Sequence, residues 1–232
     1  MEEIKEKVTS KPRSELLQKS YLILKHTVES CNYFLKAFYI CRRRRKGAAT
    51  DEEQDLLRAM LVFSCAGLDS MLKQIIKDAL LKIVNSNEKS HAALRQYVSK
   101  RLARKSDIEG ALLNYDVKFL SDILMQESPR EGLINAAIYD FTSGSLQSHE
   151  EIFKIITLFG IDPLIITQES ETLKKIFGIR NRIIHEMDIN FLHSKRNRNP
   201  HAKKDIRKYA ELIILISKKI LFAVDHTIKP LC

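Results

Sequence analysis

Within Ile179-Arg180-Asn181-Arg182-Ile183-Ile184-His185-Glu186, an arginine, an asparagine and a histidine stand at spacings that a helix can turn to chemical use. Histidine, with an ordinary pKa of about 6.5, gives or takes a proton near neutral pH. Arginine keeps its charge and offers a planar fork of N–H donors that matches phosphate oxygens. Such groups suit transfer at a phosphodiester, which needs a base for a ribose 2′-hydroxyl, an acid for the leaving oxygen and positive charge at the crowded phosphate. The attacking hydroxyl would belong to the substrate, so no metal-activated water is required and DNA would be spared. Asn181 and His185, four residues apart, share a helix face, whereas Arg180 lies about 140° around the helix from His185. A long arginine side chain, a fraying last turn or a second copy of the helix across a two-fold axis would gather them at one phosphate. Arg180 also falls on a seam made by Leu173, Ile176, Ile183 and Met187, where a guanidinium is expensive unless it is paired or has a task.

The same spacing recurs at Arg196-Asn197-Arg198-Asn199-Pro200-His201. Pro200 puts this copy at a loop-to-helix junction, so it reads as a basic loop and a helix start, and the first copy is the candidate. Other sites lack support. No glycine pattern resembles a phosphate loop, neither His149-Glu150 nor His185-Glu186 continues to a second histidine in HExxH spacing, and there is no nucleophile elbow. Cys31, Cys41, Cys65 and Cys232 form no CxxC pair and read as thiols of a reducing compartment. No metal site and no cofactor is expected.

The elements that must position these groups read as helices. Seven Gly and five Pro in 232 residues leave little of the turn punctuation that a many-stranded protein needs. Apolar residues from Leu16 to Phe38 recur at three- and four-residue steps, predicting a helix over about 14–45. Thr50 and Glu53 form a capping-box pattern that opens a second helix, to about 85. Ser106/Glu109, Ser128/Glu131 with Pro129, and Ser148/Glu151 read as further helix starts. The expectation is a single all-α domain over 1–232, an up-and-down bundle. Its long N-terminal helix precedes core helices at about 50–85, 169–187 and 199–227, with a variable helical insert at about 88–165. Asp69, in the apolar middle of the second helix, reads as facing solvent.

A formal net charge of +10 points to a polyanionic partner, nucleic acid or an anionic membrane surface, and charge alone does not choose between them; with the motif's chemistry, RNA is the expected partner. Arg42, Arg43, Arg44 and Arg45 form a cationic run that would grip a nucleic-acid backbone, as would Arg182, Arg196 and Arg198 near the candidate motif. Neither patch is interleaved with aromatic residues along the sequence, so base stacking is not expected. The N-terminus, MEEIKEKVTSKPR, lacks an apolar leader, and ELIILISKKILFAV is interrupted by Lys218 and Lys219, short of a membrane span of about 20 residues. A cytoplasmic location without membrane contact is expected.

The stretch "IRNRIIHEMD", the long apolar helix opening at Asp205-Ile206-Arg207-Lys208-Tyr209, and "AMLVFSCAGLDSMLKQIIKDAL" from Ala59 to Leu80 together resemble the HEPN superfamily, particularly its RiboL-PSP-like branch. The resemblance implies a helical bundle that pairs as a homodimer. In active members it implies a metal-independent endoribonuclease that leaves a 2′,3′-cyclic phosphate, with Arg180, Asn181 and His185 as the catalytic residues. Glu186 stands where the family often has Gly, and its carboxylate would either repel phosphate or pair with Arg182. A toxin or antiviral-defence role, with an antitoxin or sensor protein as companion, follows from the resemblance alone. The alternative is a non-catalytic helical module that binds RNA or protein.

Overall fold

The computed structural model describes residues 3–4, 10–43, 45–103, 121–192 and 197–228. A 3-10 turn at Glu15–Leu17 leads into α1 (Gln18–Arg42), followed by α2 (Asp51–Ser86), α3 (Glu88–Ala103), α4 (Pro129–Ser143), α5 (His149–Leu158), α6 (Pro163–Ile166), α7 (Ser170–Glu186) and α8 (Lys203–Thr227). The fold is all-α, as expected; among the described residues the one β feature is an isolated bridge between Ile189 and Arg198.

α2 is the spine of the molecule. Its 36 residues begin at a complete capping box, the Thr50 hydroxyl accepting from Glu53 N–H and the Glu53 carboxylate accepting from Thr50 N–H, which satisfies two otherwise orphaned donors. Buried residues from Leu57 to Val84 cover more of its circumference than a surface helix would bury, because α1, α4, α7 and α8 all pack on it. By length and composition α2 could cross a membrane, but half of its apolar window is buried inside the protein, as befits a core helix. Gly67 lets α1 approach closely, since a Cβ there would overlap Thr27.

Two helix limits differ from expectation. α1 stops at Arg42 rather than near 45 because Arg43 adopts the left-handed conformation, φ 42°, and Arg45 N–H turns back onto the Arg42 carbonyl. α8 starts at Lys203 rather than 199 because the preceding backbone is committed elsewhere. Asn199 N–H donates to the Asp188 carbonyl and His201 N–H to Gln54 Oε1.

In the middle third, Ser148 caps α5 through Glu151 N–H, and Pro129 opens α4; the predicted start at Ser106/Glu109 lies outside the described residues. Ile134 and Ala137 of α4 and Ile152, Ile155 and Ile156 of α5 belong to the same buried cluster as α1, α2, α7 and α8. Asp69 does not face solvent. It accepts from Leu146 N–H at 2.7 Å and from Lys73 Nζ at 3.0 Å, so a nearly buried carboxylate ties α2 to the loop after α4 and meets the hydrogen-bond requirement of burial.

Candidate functional site

α7 carries the motif. Leu173, Ile176, Phe177 and Ile179 are buried and fix its inner face, while Gly178, Asn181, Arg182 and His185, at steps of three and four residues, share the outer one. Nothing lies within 4 Å of where a Gly178 Cβ would be. His185 is exposed in the last turn, its imidazole without a hydrogen bond or ion pair to any of the described residues. Arg180 is half-buried between the two faces. Its Nε is buried without a partner, and its Nη1 donates to Asn181 Oδ1 at 2.9 Å. The structure therefore joins Arg180 to Asn181 and presents Asn181 and His185 on one surface, with no hydrogen bond linking His185 to either. Among the described residues no carboxylate pairs with Arg180. The charge is felt across the interface by Cys65 on α2, whose thiol burial pushes up to about 12 despite the hydrogen bond with Ser64 and the Arg180 charge. Cys31 is likewise pushed up to about 12 by burial and by Cys65, so neither thiol is a nucleophile near neutral pH.

The chain leaves α7 through two consecutive non-glycine residues of positive φ, Met187 at 52° and Asp188 at 59°, a conformation that must be held by its surroundings. Asp188 supplies the hold. It is fully buried, and its Oδ2 accepts from Arg58 Nε at 3.0 Å and from His201 Nε2 at 2.6 Å. Oδ1 accepts from Asn199 Nδ2 at 3.2 Å. Arg58, itself buried, also reaches Asp55 and the Asn199 carbonyl, and Gln54 brackets His201 through both its N–H and its carbonyl. This clamp pins the end of α7, three residues past His185, to the start of α2 and the entry to α8. Sequence reasoning missed it. The available signal was Arg58 between Leu57 and Leu61, a cation on an apolar stripe that asks for an acid just as Arg180 asks for a task.

The predicted cations have divided fates. Arg42 and Arg45 both donate to Glu53, at 2.9 and 2.8 Å. Desolvation pushes the Glu53 carboxyl up, but the Arg45 hydrogen bond, the Thr50 N–H and the charges of Arg45 and Arg42 outweigh it and hold the group below its ordinary value. Arg43 is exposed; Arg44 and Arg196 lie outside the described residues. Arg198 pairs with Asp55 at 2.7 Å and donates to the Met187 carbonyl. Arg182 lies 3.9 Å from Asp188, so it faces that carboxylate, and Glu186 is exposed. Phe38 and Tyr39 sit one turn before Arg42, whose guanidinium lies 5.8 Å from the centre of the buried Phe38 ring, while Lys203 Nζ lies 4.7 Å from that of Tyr39.

The all-helical bundle built on α2 and closed by α7 and α8 agrees with the HEPN class of architecture. The chain belongs to the RiboL-PSP-HEPN family, whose model matches residues 35–221. Neither the search of curated proteins nor that of solved structures gave a match. Membership points to a role in cleaving or binding RNA.

Proposed function

We propose that the protein is a metal-independent endoribonuclease in which two copies of α7 form one site. The carrying observation is the chemical freedom of Arg180 and His185. Arg42, Arg45, Arg58 and Arg198 each meet a carboxylate, whereas among the described residues the Arg180 guanidinium meets only the neutral Asn181. Asn181 in turn steadies that guanidinium on the His185 face. A desolvated, unneutralised guanidinium is a strong ligand for phosphate.

One imidazole takes the 2′-hydroxyl proton as O2′ bonds to phosphorus; the other gives a proton to O5′ as the P–O5′ bond breaks. The guanidinium forks hold the extra charge on the equatorial oxygens. The products are a 2′,3′-cyclic phosphate and a 5′-hydroxyl. Pairing is supported by exposed Ile184 in the last turn of α7 and exposed Met187, Phe191 and Leu192 in the segment that follows it, apolar residues that suit a self-complementary contact, and by the open space over Gly178. A toxin or defence effector restrained by an antitoxin or sensor fits such a nuclease.

The test is cleavage of a single-stranded RNA in excess EDTA, with the product ends identified. Wild type should yield cyclic phosphate ends, and Arg180→Ala and His185→Ala should not. RNA binding without cleavage would instead favour the non-catalytic module. Ile184→Ser combined with Leu192→Ser should shift sedimentation from dimer to monomer and abolish cleavage together; a monomeric but fully active double variant would sink the paired site.

A further inference from the structure

Between the end of α1 and the entry to α8 lies a cavity of about 580 Å³, within the range of small-molecule sites. Phe38, Tyr39, Ala48 and Pro200 form much of its wall, and Arg42, His201 and Lys203 supply its polar groups. Lys203 is steadied rather than free-swinging: Nζ donates to the Tyr39 hydroxyl at 2.8 Å and lies over the same ring. Arg42 is already committed to Glu53 and the Gly47 carbonyl, and it covers the buried Phe38 ring. An apolar chamber with the Tyr39 ring and a held lysine suits a flat ring joined to an anion.

We infer that this cavity is a nucleobase subsite for single-stranded RNA, taking one base against the Tyr39 side and the adjoining phosphate at Lys203. The assignment to RNA rests on the ribonuclease reading. The chamber is joined to the proposed site through one side chain, because His201 lines it and also holds Asp188, three residues beyond His185. A strand with one base seated here is thereby anchored to the part of the fold that fixes the end of α7. Aromatic stacking accepts any base, so the subsite adds affinity and register rather than strict sequence choice.

The probe is a fluorescent 2′-O-methyl oligoribonucleotide of about 12 nucleotides, within the site sizes of single-strand binders and resistant to 2′-hydroxyl attack. Anisotropy with the full chain should show Kd rising about tenfold for Tyr39→Ala and staying within about twofold for Tyr39→Phe, as loss of one stacked base predicts. Filling the chamber from its exposed rim with Ala48→Leu and Ala202→Leu should weaken binding similarly, with an unchanged melting temperature showing that the fold is intact. A probe of the same backbone lacking bases should bind wild type and the filled variant alike. Wild-type affinity in the filled variant would overturn the subsite. So would a loss of equal size for the base-free probe, which would mean phosphate contact alone. Cleavage of ordinary RNA by wild type, measured in parallel, separates the two readings: active enzyme with an indifferent cavity defeats the subsite only, whereas base-dependent binding without cleavage defeats the nuclease only. Binding of free nucleoside monophosphates but not of the oligomer would overturn the RNA assignment.

Discussion

The chain contains the Arg-x4-His spacing twice, and the two histidines have opposite surroundings. His185 stands at the exposed end of α7 with no partner among the described residues. His201 is mostly buried, its ring on Asp188 and its backbone held by Gln54 at both N–H and carbonyl. The difference shows what a motif leaves open: identical spacing produces a free imidazole where it falls on a helix's outer face, and a structural strut where it spans a loop that must return to the core. A residue whose hydrogen-bonding capacity is consumed inside the protein has little left for a substrate. The one with capacity to spare is the better proton carrier.

The largest effect expected is therefore at His185. His185→Ala should lower the RNA cleavage rate by roughly 10²- to 10⁴-fold, the usual contribution of a positioned acid or base, and leave the urea unfolding midpoint where it was. His201→Ala should do the reverse. It removes one hydrogen bond to a buried carboxylate, destabilising the fold by about 1.5–3 kcal/mol, while cleavage measured well below the melting transition falls far less than in His185→Ala. Equal loss of cleavage in both folded variants would erase the distinction between the copies.

Next in size is the clamp itself. Asp188→Ala takes from Arg58, which is 3% exposed, its buried counter-charge and leaves it the exposed Asp55 carboxylate and the Asn199 carbonyl, so the loss should approach that of breaking a buried pair, about 3 kcal/mol. Urea denaturation measures it. Removing the acid together with the base, as Asp188→Ala with Arg58→Met, should recover part of that loss, because the penalty lies in leaving one charge alone. A double variant no more stable than the single one would mean that Asp188 acts by fixing the turn at positive φ rather than by neutralising Arg58.

How much of this was legible in the sequence depends on the range of the interactions involved. The Thr50/Glu53 cap and the apolar stripes of α1, α2 and α8 are local, written within four residues of each other, and the all-α architecture follows from them. The Arg180 seam was local too: a cation on an apolar stripe asks for a partner or a task, and the side chain is half-buried with Asn181 on its Nη1. Asp188 with Arg58 is not local, since 130 positions separate the partners and nothing in either neighbourhood names the other. Asp69 and the Leu146 N–H, 77 apart, escaped for the same reason. The contact of Arg42 with the Phe38 ring is local again, since the two stand one helical turn apart.

The paired and unpaired cations give the comparison its finest test, in the acid limb of stability. Glu53 serves Arg42, Arg45 and its own helix cap, and its folded carboxyl titrates below the ordinary 4.5. As the pH falls the unfolded chain takes up that proton first, so the contribution is complete above about 4.5 and drains away as the pH passes through the lower folded value. Glu53→Gln should thus be less stable than wild type at pH 7, and the gap measured by urea unfolding should close as the pH is lowered through and below the ordinary carboxyl range. The effect is the smallest of the set because Arg42 and Arg45 are partly exposed and solvent screens them. A gap that stays constant with pH would mean that Glu53 acts through its shape in the capping box and not through its charge. In that case Arg42 and Arg45 would no longer count as neutralised, and the contrast with Arg180 would have to rest on Arg58 and Arg198 alone.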